Sequence, residues 1–177
     1  MLECRKFMFE TIGKNLTFKV QTDSNYSFLL SLYGSTREDE LSMTSMLQRE
    51  KEKFISQQFE ARELDYAKRF NDAKFLIIYR KKQAIGRVVY RVDESTHLID
   101  LALVRKLREN GLGSTIISTL IEYAKENNKE LHLSVAMDNT RAIKLYQRLG
   151  FKITNQHGYY YAMRYLGIRG KTCQHLN

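Results

Sequence analysis

The most informative part of the chain is Leu101-Ala102-Leu103-Val104-Arg105-Lys106-Leu107-Arg108-Glu109-Asn110-Gly111-Leu112-Gly113-Ser114. It passes from an apolar strand through a turn into a helix start, where unpaired backbone N–H groups and the positive end of the helix dipole stabilise an anion. Glycine at 111 and 113 lets the backbone approach phosphate oxygens that a Cβ would exclude. Arg108 can add a charge-assisted hydrogen bond. The stretch therefore predicts a phosphate cradle.

Two other phosphate motifs fail at this stretch. A P-loop needs a lysine between its last glycine and the Ser/Thr, but Ser114 follows Gly113 directly. A dinucleotide fingerprint needs a third glycine where Ile116 stands. The remaining alternative is a tight turn without a ligand.

A second block, Asn139-x-x-Ala142-x-x-Leu145-Tyr146-x-x-Leu149-Gly150-Phe151, follows with one strand between. Together, Arg108-x-x-Gly111-x-Gly113 and this block resemble the acetyl-CoA signature and the Asn-to-Tyr pattern of the GNAT acetyltransferase superfamily. The resemblance covers about residues 76–166 and implies a three-layer α/β/α fold. Its central sheet would be mixed, mostly antiparallel and splayed at the cofactor site.

The pattern of the remaining chain agrees with an α/β class. Apolar runs and alternation predict strands at Leu16–Gln21, Lys74–Arg80, Ile85–Val92, His97–Val104, Leu131–Met137, Phe151–Asn155 and Tyr159–Tyr165. Helical spacing predicts a short helix after Thr22, Asp23 and Ser24, and longer ones at Ser45–Asn71, Gly113–Asn127 and Asn139–Leu149. We expect one acetyltransferase domain over residues 1–166, followed by a polar, basic tail over residues 167–177.

Composition narrows the class of protein. The chain has 177 residues and a net charge of +9, which favours an anionic partner. Because the basic residues are scattered, the charge supports a phosphate pocket better than a nucleic-acid surface. We find no apolar stretch long enough to span a membrane and no signal peptide, so we expect a cytoplasmic protein. Cys4 and Cys173 are expected to be free thiols.

The resemblance also implies roles in cofactor binding. Leu101, Ala102 and Leu103 would contact pantetheine and the thioester, and the backbone of Glu109, Asn110, Gly111, Leu112, Gly113 and Ser114 would hold the pyrophosphate. Asn139 would bind the cofactor arm, although it also suits the N-cap of its helix. The chain departs from the family at Arg105, where proline is common, and at Glu109, where glycine is frequent and a negative charge now lies beside the expected pyrophosphate.

Direct transfer needs an acid to protonate the leaving thiolate, and Tyr146 is the candidate, because a phenol is protonated at neutral pH. The alternative for Tyr146 is a plain core position. Asp100 is the only carboxylate on the strand leading into the signature, so it is the candidate general base, acting through water; a purely structural role is the alternative. The single histidines have no metal-ligand spacing, so no metal site is expected.

The leading hypothesis is an enzyme that transfers an acetyl group from acetyl-CoA to a primary amine of a small molecule, peptide or protein. A second is a catalytically idle acyl-CoA-binding module, which Glu109 keeps open. A third, resting on charge alone, is a nucleic-acid binder. Dimers are common among similar proteins, so a homodimer is one expected assembly of this chain.

Overall fold

The structure, a computed structural model, describes residues 11–12 and 16–167. Its strands are β1 (Thr11–Ile12), β2 (Leu16–Val20), β3 (Lys74–Arg80), β4 (Gln83–Val92), β5 (Thr96–Leu103), β6 (Leu131–Ala136), β7 (Phe151–His157) and β8 (Tyr160–Tyr165). Its helices are α1 (Tyr26–Ser42), α2 (Gln48–Arg69), α3 (Leu112–Glu126) and α4 (Thr140–Arg148). The two cysteines and the tail beyond Gly167 lie outside the described residues.

The strands form one sheet in the order β1-β2-β3-β4-β5-β6-β8-β7. β5 and β6 pair in parallel, whereas β1 with β2, β2 with β3, β6 with β8 and β7 with β8 pair antiparallel. The parallel ladder ends at Leu98 and Leu133, although β5 runs on to Leu103 and β6 to Ala136. The predicted α/β class with a mixed, mostly antiparallel sheet is confirmed.

The chain groups into two compact units. The first contains residues 100–113 and the described residues up to Val89, and the second contains residues 90–99 and the described residues from Ser114 onward. The prediction of a single acetyltransferase domain over residues 1–166 stays a prediction.

In the first unit, α1 and α2 pack on β3. Leu29 and Tyr33 of α1, Phe59 of α2 and Ile77 of β3 are buried together in one apolar cluster. The apolar run of β3 is buried at its centre, from Leu76 to Ile78. This cluster fixes α2 over the sheet, as the apolar residues of the Ser45–Asn71 segment predict.

The turn between β3 and β4 is formed by Lys81 and Lys82, whose φ angles are +49° and +67°. Two central residues at positive φ are typical of the mirror-image turns that suit the twist of a hairpin. Lysine takes this conformation less readily than glycine or asparagine.

In the second unit, α3 buries a continuous apolar face made by Ile116, Ile117, Leu120, Ile121 and Ala124. α4 precedes the β7–β8 hairpin, in which the register shifts between Ile153 and Asn155. Apart from Phe151, every residue of β7 is exposed. The predicted elements of this half of the sequence are all present.

Helix α1 is longer than expected. It runs for 17 residues to Ser42, beyond the apolar positions that predict it, and a 3₁₀ turn (Asp23–Asn25) precedes it. Its last half is polar except for Leu41, which is buried. No helix within the described residues is long and apolar enough to cross a bilayer.

Candidate functional site

β5 carries the residues expected to meet the thioester. Leu103 is buried, while Leu101 and Ala102 are partly buried. Gly86 of β4 lies against this segment, since a Cβ added there would stand 2.4 Å from the Ala102 main-chain oxygen and 2.7 Å from Leu103 Cδ2. Sequence reasoning missed Gly86, although a glycine inside a strand signals close backbone approach.

After β5 the chain makes a 3₁₀ turn over Arg105–Leu107, in which Leu107 N–H donates to the Val104 oxygen at 2.9 Å. Glu109 then takes a φ of +65° and Gly111 a φ of +77°, and α3 begins at Leu112. We call residues 105–113 the signature loop. A left-handed conformation of this kind is one that glycine adopts more readily than glutamate.

Backbone that alternates between right- and left-handed conformations turns successive N–H groups toward one side and forms a concave anion site. At Gly111, a Cβ would meet nothing within 4 Å, so the space beside this backbone is open. No acidic residue stands in the first turn of α3. Glycine is needed at 111 for its φ angle, and diphosphate binding at the signature loop stays a prediction.

The Arg108 side chain is engaged on the protein. Its Nε–H donates to the Leu103 main-chain oxygen at 2.9 Å, and its Nη2 donates to Ser35 Oγ at 2.9 Å and to the Ser35 main-chain oxygen at 3.2 Å. These bonds tie the end of β5 and α1 to the signature loop. Direct contact of Arg108 with phosphate stays a prediction.

A second link joins the same elements. Arg105 forms ion pairs with Glu38 at 3.0 Å and with Asp39 at 2.7 Å on the exposed surface of α1. Ser35 and Glu38 also line a cavity of about 400 Å³, whose other lining residues are Gly34, Leu41, Ser42, Gln48, Lys51 and Ile55. This cavity lies between α1 and α2.

Asp100, the tentative base, is bound to Arg87 of β4. Arg87 Nη2 lies 2.8 Å and Nε 3.2 Å from Asp100 Oδ2. Its remaining Nη1 contacts both carboxylate oxygens of Glu63, at 2.7 and 2.9 Å. Burial alone would lower the pKa of Arg87, but Asp100 and Glu63 outweigh it and raise that pKa. The sequence pattern did not reveal this ion-pair network.

In the second unit, Asn139 caps α4, because its Oδ1 accepts a hydrogen bond from Ala142 N–H at 3.1 Å. The predicted N-cap is confirmed. The side chain is exposed. Ser114, the last predicted cradle residue, lies in the first turn of α3 and is partly buried.

The Gly150-Phe151 pair of the second block has a structural role. Gly150 takes a φ of +97° after α4, as the residue following a helix end commonly does, and a Cβ there would stand 3.0 Å from Tyr165 Cε2. Phe151 is buried, with its ring centre 5.6 Å from that of Tyr165. Tyr146 is partly buried, and its ring centre lies 5.8 Å from that of Phe151.

The first unit thus brings Asp100, Leu101–Leu103 and the signature loop together, and the second holds Ser114, Asn139 and Tyr146. Within the described residues, no group of three or more His, Cys, Asp or Glu side chains is arranged to hold a metal ion.

Comparison with known proteins identifies the family. Residues 41–151 match the model of the acetyltransferase (GNAT) family. The chain is 34% identical over 106 residues to an N-alpha-acetyltransferase of Sulfurisphaera tokodaii, and the match covers 51% of this chain and 64% of that protein. It is 30% identical over 113 residues to the acetyltransferase PseH of Campylobacter jejuni, covering 63% of this chain and 71% of that protein.

Among solved structures, the fold is similar to PaiA N-acetyltransferase of Thermoplasma acidophilum in complex with coenzyme A. The TM-score is 0.64 at 17% identity, over 84% of this chain and 97% of that one. The family match spans more than half of the 177 residues and includes both sequence blocks. The chain therefore belongs to the GNAT acetyltransferase family.

Proposed function

We propose that this protein transfers an acetyl group from acetyl-CoA to a primary amine in one direct step. The observation that carries the proposal is the signature loop, where Glu109 and Gly111 adopt left-handed backbone immediately before α3 and open space lies beside Gly111. A helix start preceded by such a loop binds a diphosphate. Family membership supplies the reaction class.

The binding roles follow from the elements. The backbone N–H groups of residues 109–114 hold the diphosphate of coenzyme A, and Asn139 contacts the cofactor arm near the thiol. Leu101, Ala102 and Leu103 hold the pantetheine and the thioester by main-chain contacts. Arg108 keeps the loop in shape through Leu103 and Ser35.

The chemistry needs two proton transfers. An acceptor arrives as an ammonium ion, and Asp100 takes one N–H proton, which later passes to water. The free amine attacks the thioester carbonyl, so a C–N bond forms and the C–S bond breaks. Tyr146 gives its O–H proton to the leaving thiolate and regains one from the second N–H of the attacking nitrogen. One proton is released per acetyl group moved.

The acceptor class is proposed from the relatives. One relative is named for acetylation of α-amines, so the α-amine of a peptide is the first acceptor to try. A lysine ε-amine and a small aliphatic amine test the other two acceptor classes. All three share a primary amine that is charged near neutral pH.

The test follows free thiol with acetyl-CoA and each of three probes: a peptide with a free N-terminus, Nα-acetyl-lysine amide and n-butylamine. Thiol release that depends on an amine is the expected result. Tyr146→Phe should lower kcat by about a hundredfold, the range of a lost general acid. Tyr26→Phe is the matched control, since Tyr26 is exposed and its hydroxyl bonds only Glu60 among the described residues.

Tight binding of coenzyme A without turnover of any amine would overturn the enzymatic proposal and leave a binding module. Failure of calorimetry to detect coenzyme A binding would overturn the assignment of the signature loop as well.

A further inference from the structure

Arg87 is the largest fully buried side chain of the described protein, with 1% of its surface exposed. It lies in β4, and an isolated charge at such depth is costly, so it has to be paired. Its partners come from two separate elements: Glu63 from α2 and Asp100 from β5. One guanidinium thus connects the helix over the sheet to the strand that leads into the signature loop.

The two carboxylates are held differently. Glu63 accepts from Arg87 with both oxygens, and Arg62 Nη2 at 3.3 Å and Gln21 Nε2 at 3.5 Å donate to it as well. Among the described residues, only Arg87 donates to the Asp100 side chain, and both bonds end on Oδ2. Oδ1 of Asp100 is therefore not used by Arg87.

Both carboxylates also reach the surface. The Glu63 side chain is 24% exposed and the Asp100 side chain 18% exposed, although Arg87 between them is buried. Oδ2 of Asp100 is thus held by the buried Arg87, while part of the Asp100 side chain is accessible to a solute.

The other titratable and charged groups around this network come from α2. The Tyr66 ring centre lies 5.6 Å from Arg87 Cζ, and burial, with the charge of Asp100, raises the pKa of Tyr66 to about 12. Tyr66 therefore stays neutral near physiological pH. Arg62 stacks on Tyr33 at 4.4 Å and pairs with Glu63. No further cation within the described network contacts Asp100, so the orientation of that carboxylate depends on Arg87.

Stability alone does not account for this arrangement. Replacing a buried ion pair by apolar side chains of similar size is often neutral or stabilising. Buried charge networks beside a reaction site are, in contrast, a common means of setting the orientation and protonation of a catalytic group.

We propose that Arg87 is a positioning residue for acetyl transfer: it fixes Asp100 by Oδ2 and leaves Oδ1 to accept a proton from the acceptor ammonium, while Glu63 anchors Arg87 from α2. The inference rests on the proposed function. In the step concerned, an N–H bond of the ammonium breaks, an O–H bond forms on Oδ1, and the proton then passes to water. The acceptor class that this favours is a cationic primary amine.

The test is a double-mutant cycle on kcat, with whichever of the three amine probes is turned over. Asp100→Asn should lower kcat by about a hundredfold and Arg87→Met by at least about tenfold. If Arg87 acts through Asp100, adding Arg87→Met to Asp100→Asn should change kcat by less than about twofold. The dissociation constant for coenzyme A should stay within about twofold throughout.

Two further variants separate positioning from folding. Arg87→Lys keeps the charge but cannot form the forked bonds to both carboxylates, so its kcat should lie between wild type and Arg87→Met. Arg69→Met is the matched control. It removes an exposed ion pair between Arg69 and Asp65 of helix α2, and it should leave kcat unchanged.

Effects of Arg87→Met and Asp100→Asn on kcat that multiply would overturn the inference. Should Arg87→Met fail to fold, wild-type kcat in Arg87→Lys and Glu63→Gln would overturn it instead. Wild-type kcat in the Arg87 and Glu63 variants, with Asp100→Asn impaired, would remove the inference and leave the proposed function standing. No thiol release by the wild type with any probe would remove both.

Discussion

The guanidinium of Arg108 donates to the main-chain oxygen of Leu103, so the first residue of the family signature closes the loop that follows its own strand. The same side chain reaches Ser35 of α1. The arginine is thereby a structural clamp of the signature loop, and its contribution to cofactor binding is expected to be largely indirect.

Arg108→Ala should lower the free energy of unfolding by about 2–3 kcal/mol, because hydrogen bonds from a charged group are lost and the Leu103 oxygen is left without them. Ser35→Ala, which removes one acceptor, should cost about 1 kcal/mol. Urea unfolding measures both. Unchanged stability together with lost affinity for coenzyme A would show that Arg108 acts on the phosphate directly.

Replacing Glu109 should raise the affinity for coenzyme A. At a φ of +65°, a glutamate is strained by about 1 kcal/mol, part of which glycine recovers. Glu109→Gly should therefore be slightly more stable than wild type and bind coenzyme A more tightly, since a negative charge is removed as well. Glu109→Gln removes only the charge, so calorimetry on the two variants separates the effects. Equal melting temperatures for all three proteins would contradict the strain.

Gly86→Ala should destabilise the protein by about 1–3 kcal/mol, the usual cost of overpacking. Its Cβ would collide with the Ala102 oxygen, which is backbone and cannot rotate away, so β5 has to shift and the affinity for acetyl-CoA should fall. Gly34→Ala, within helix α1, is the control, because a Cβ there would lie at an ordinary 3.5 Å from Ile55 of α2. Circular dichroism melting and calorimetry report the two effects. A stable, tightly binding Gly86→Ala protein would refute the close approach of the strands.

Gly111 and Gly158 form a matched pair. Both have positive φ, +77° and +55°, and at neither would a Cβ meet any atom within 4 Å. Alanine at either position should cost about 1 kcal/mol of stability through its backbone conformation alone. Only Gly111→Ala should weaken coenzyme A binding, since its Cβ would enter the space beside the signature loop. Equal binding by both variants would argue against an anion site there.

The environment of His97 predicts that the folded protein loses stability in acid. Burial, the neighbouring His132 and Arg91 lower its pKa below the ordinary 6.5, and Asp93 opposes this. As the pH falls below 6.5, the unfolded chain takes up a proton that the folded protein resists, so stability is lost on acidification and is retained above 6.5.

His97→Gln should therefore lose less stability than wild type between about pH 7.5 and about pH 5.5, as urea unfolding measures. His157→Gln, at an exposed position of β7, should lose as much as wild type. A steeper loss in His97→Gln would show that the sign is wrong.

The sequence predicts the elements whose apolar spacing is regular. Ile116, Ile117, Leu120 and Ala124 define α3, and the run around Ile77 defines β3. The predicted apolar face of α2 is only partly correct, because Phe59 is buried but Leu47 precedes the helix and is exposed. The polar half of α1 has no periodic signal, and only tertiary packing of Leu41 extends that helix.

The candidate site likewise has features that the sequence predicts and features that it does not. Local conformations were predictable, since glycine at 111 and 150 and asparagine at 139 each suit one backbone position. The Glu63–Arg87–Asp100 network was not, because its members are 24 and 13 positions apart and no periodicity relates them. Ion pairing between distant residues depends on the fold being formed first.

The irregular register of β7 bears on how the molecule behaves in concentrated solution. Among the described strands, β7 is the last of the sheet, and an edge strand of this kind can offer backbone groups to another chain. The shift between Ile153 and Asn155 breaks the regular spacing of those groups, and Lys152 adds a charge beside it. We expect this irregular border to disfavour in-phase pairing with a second sheet, and so to disfavour growth into fibres.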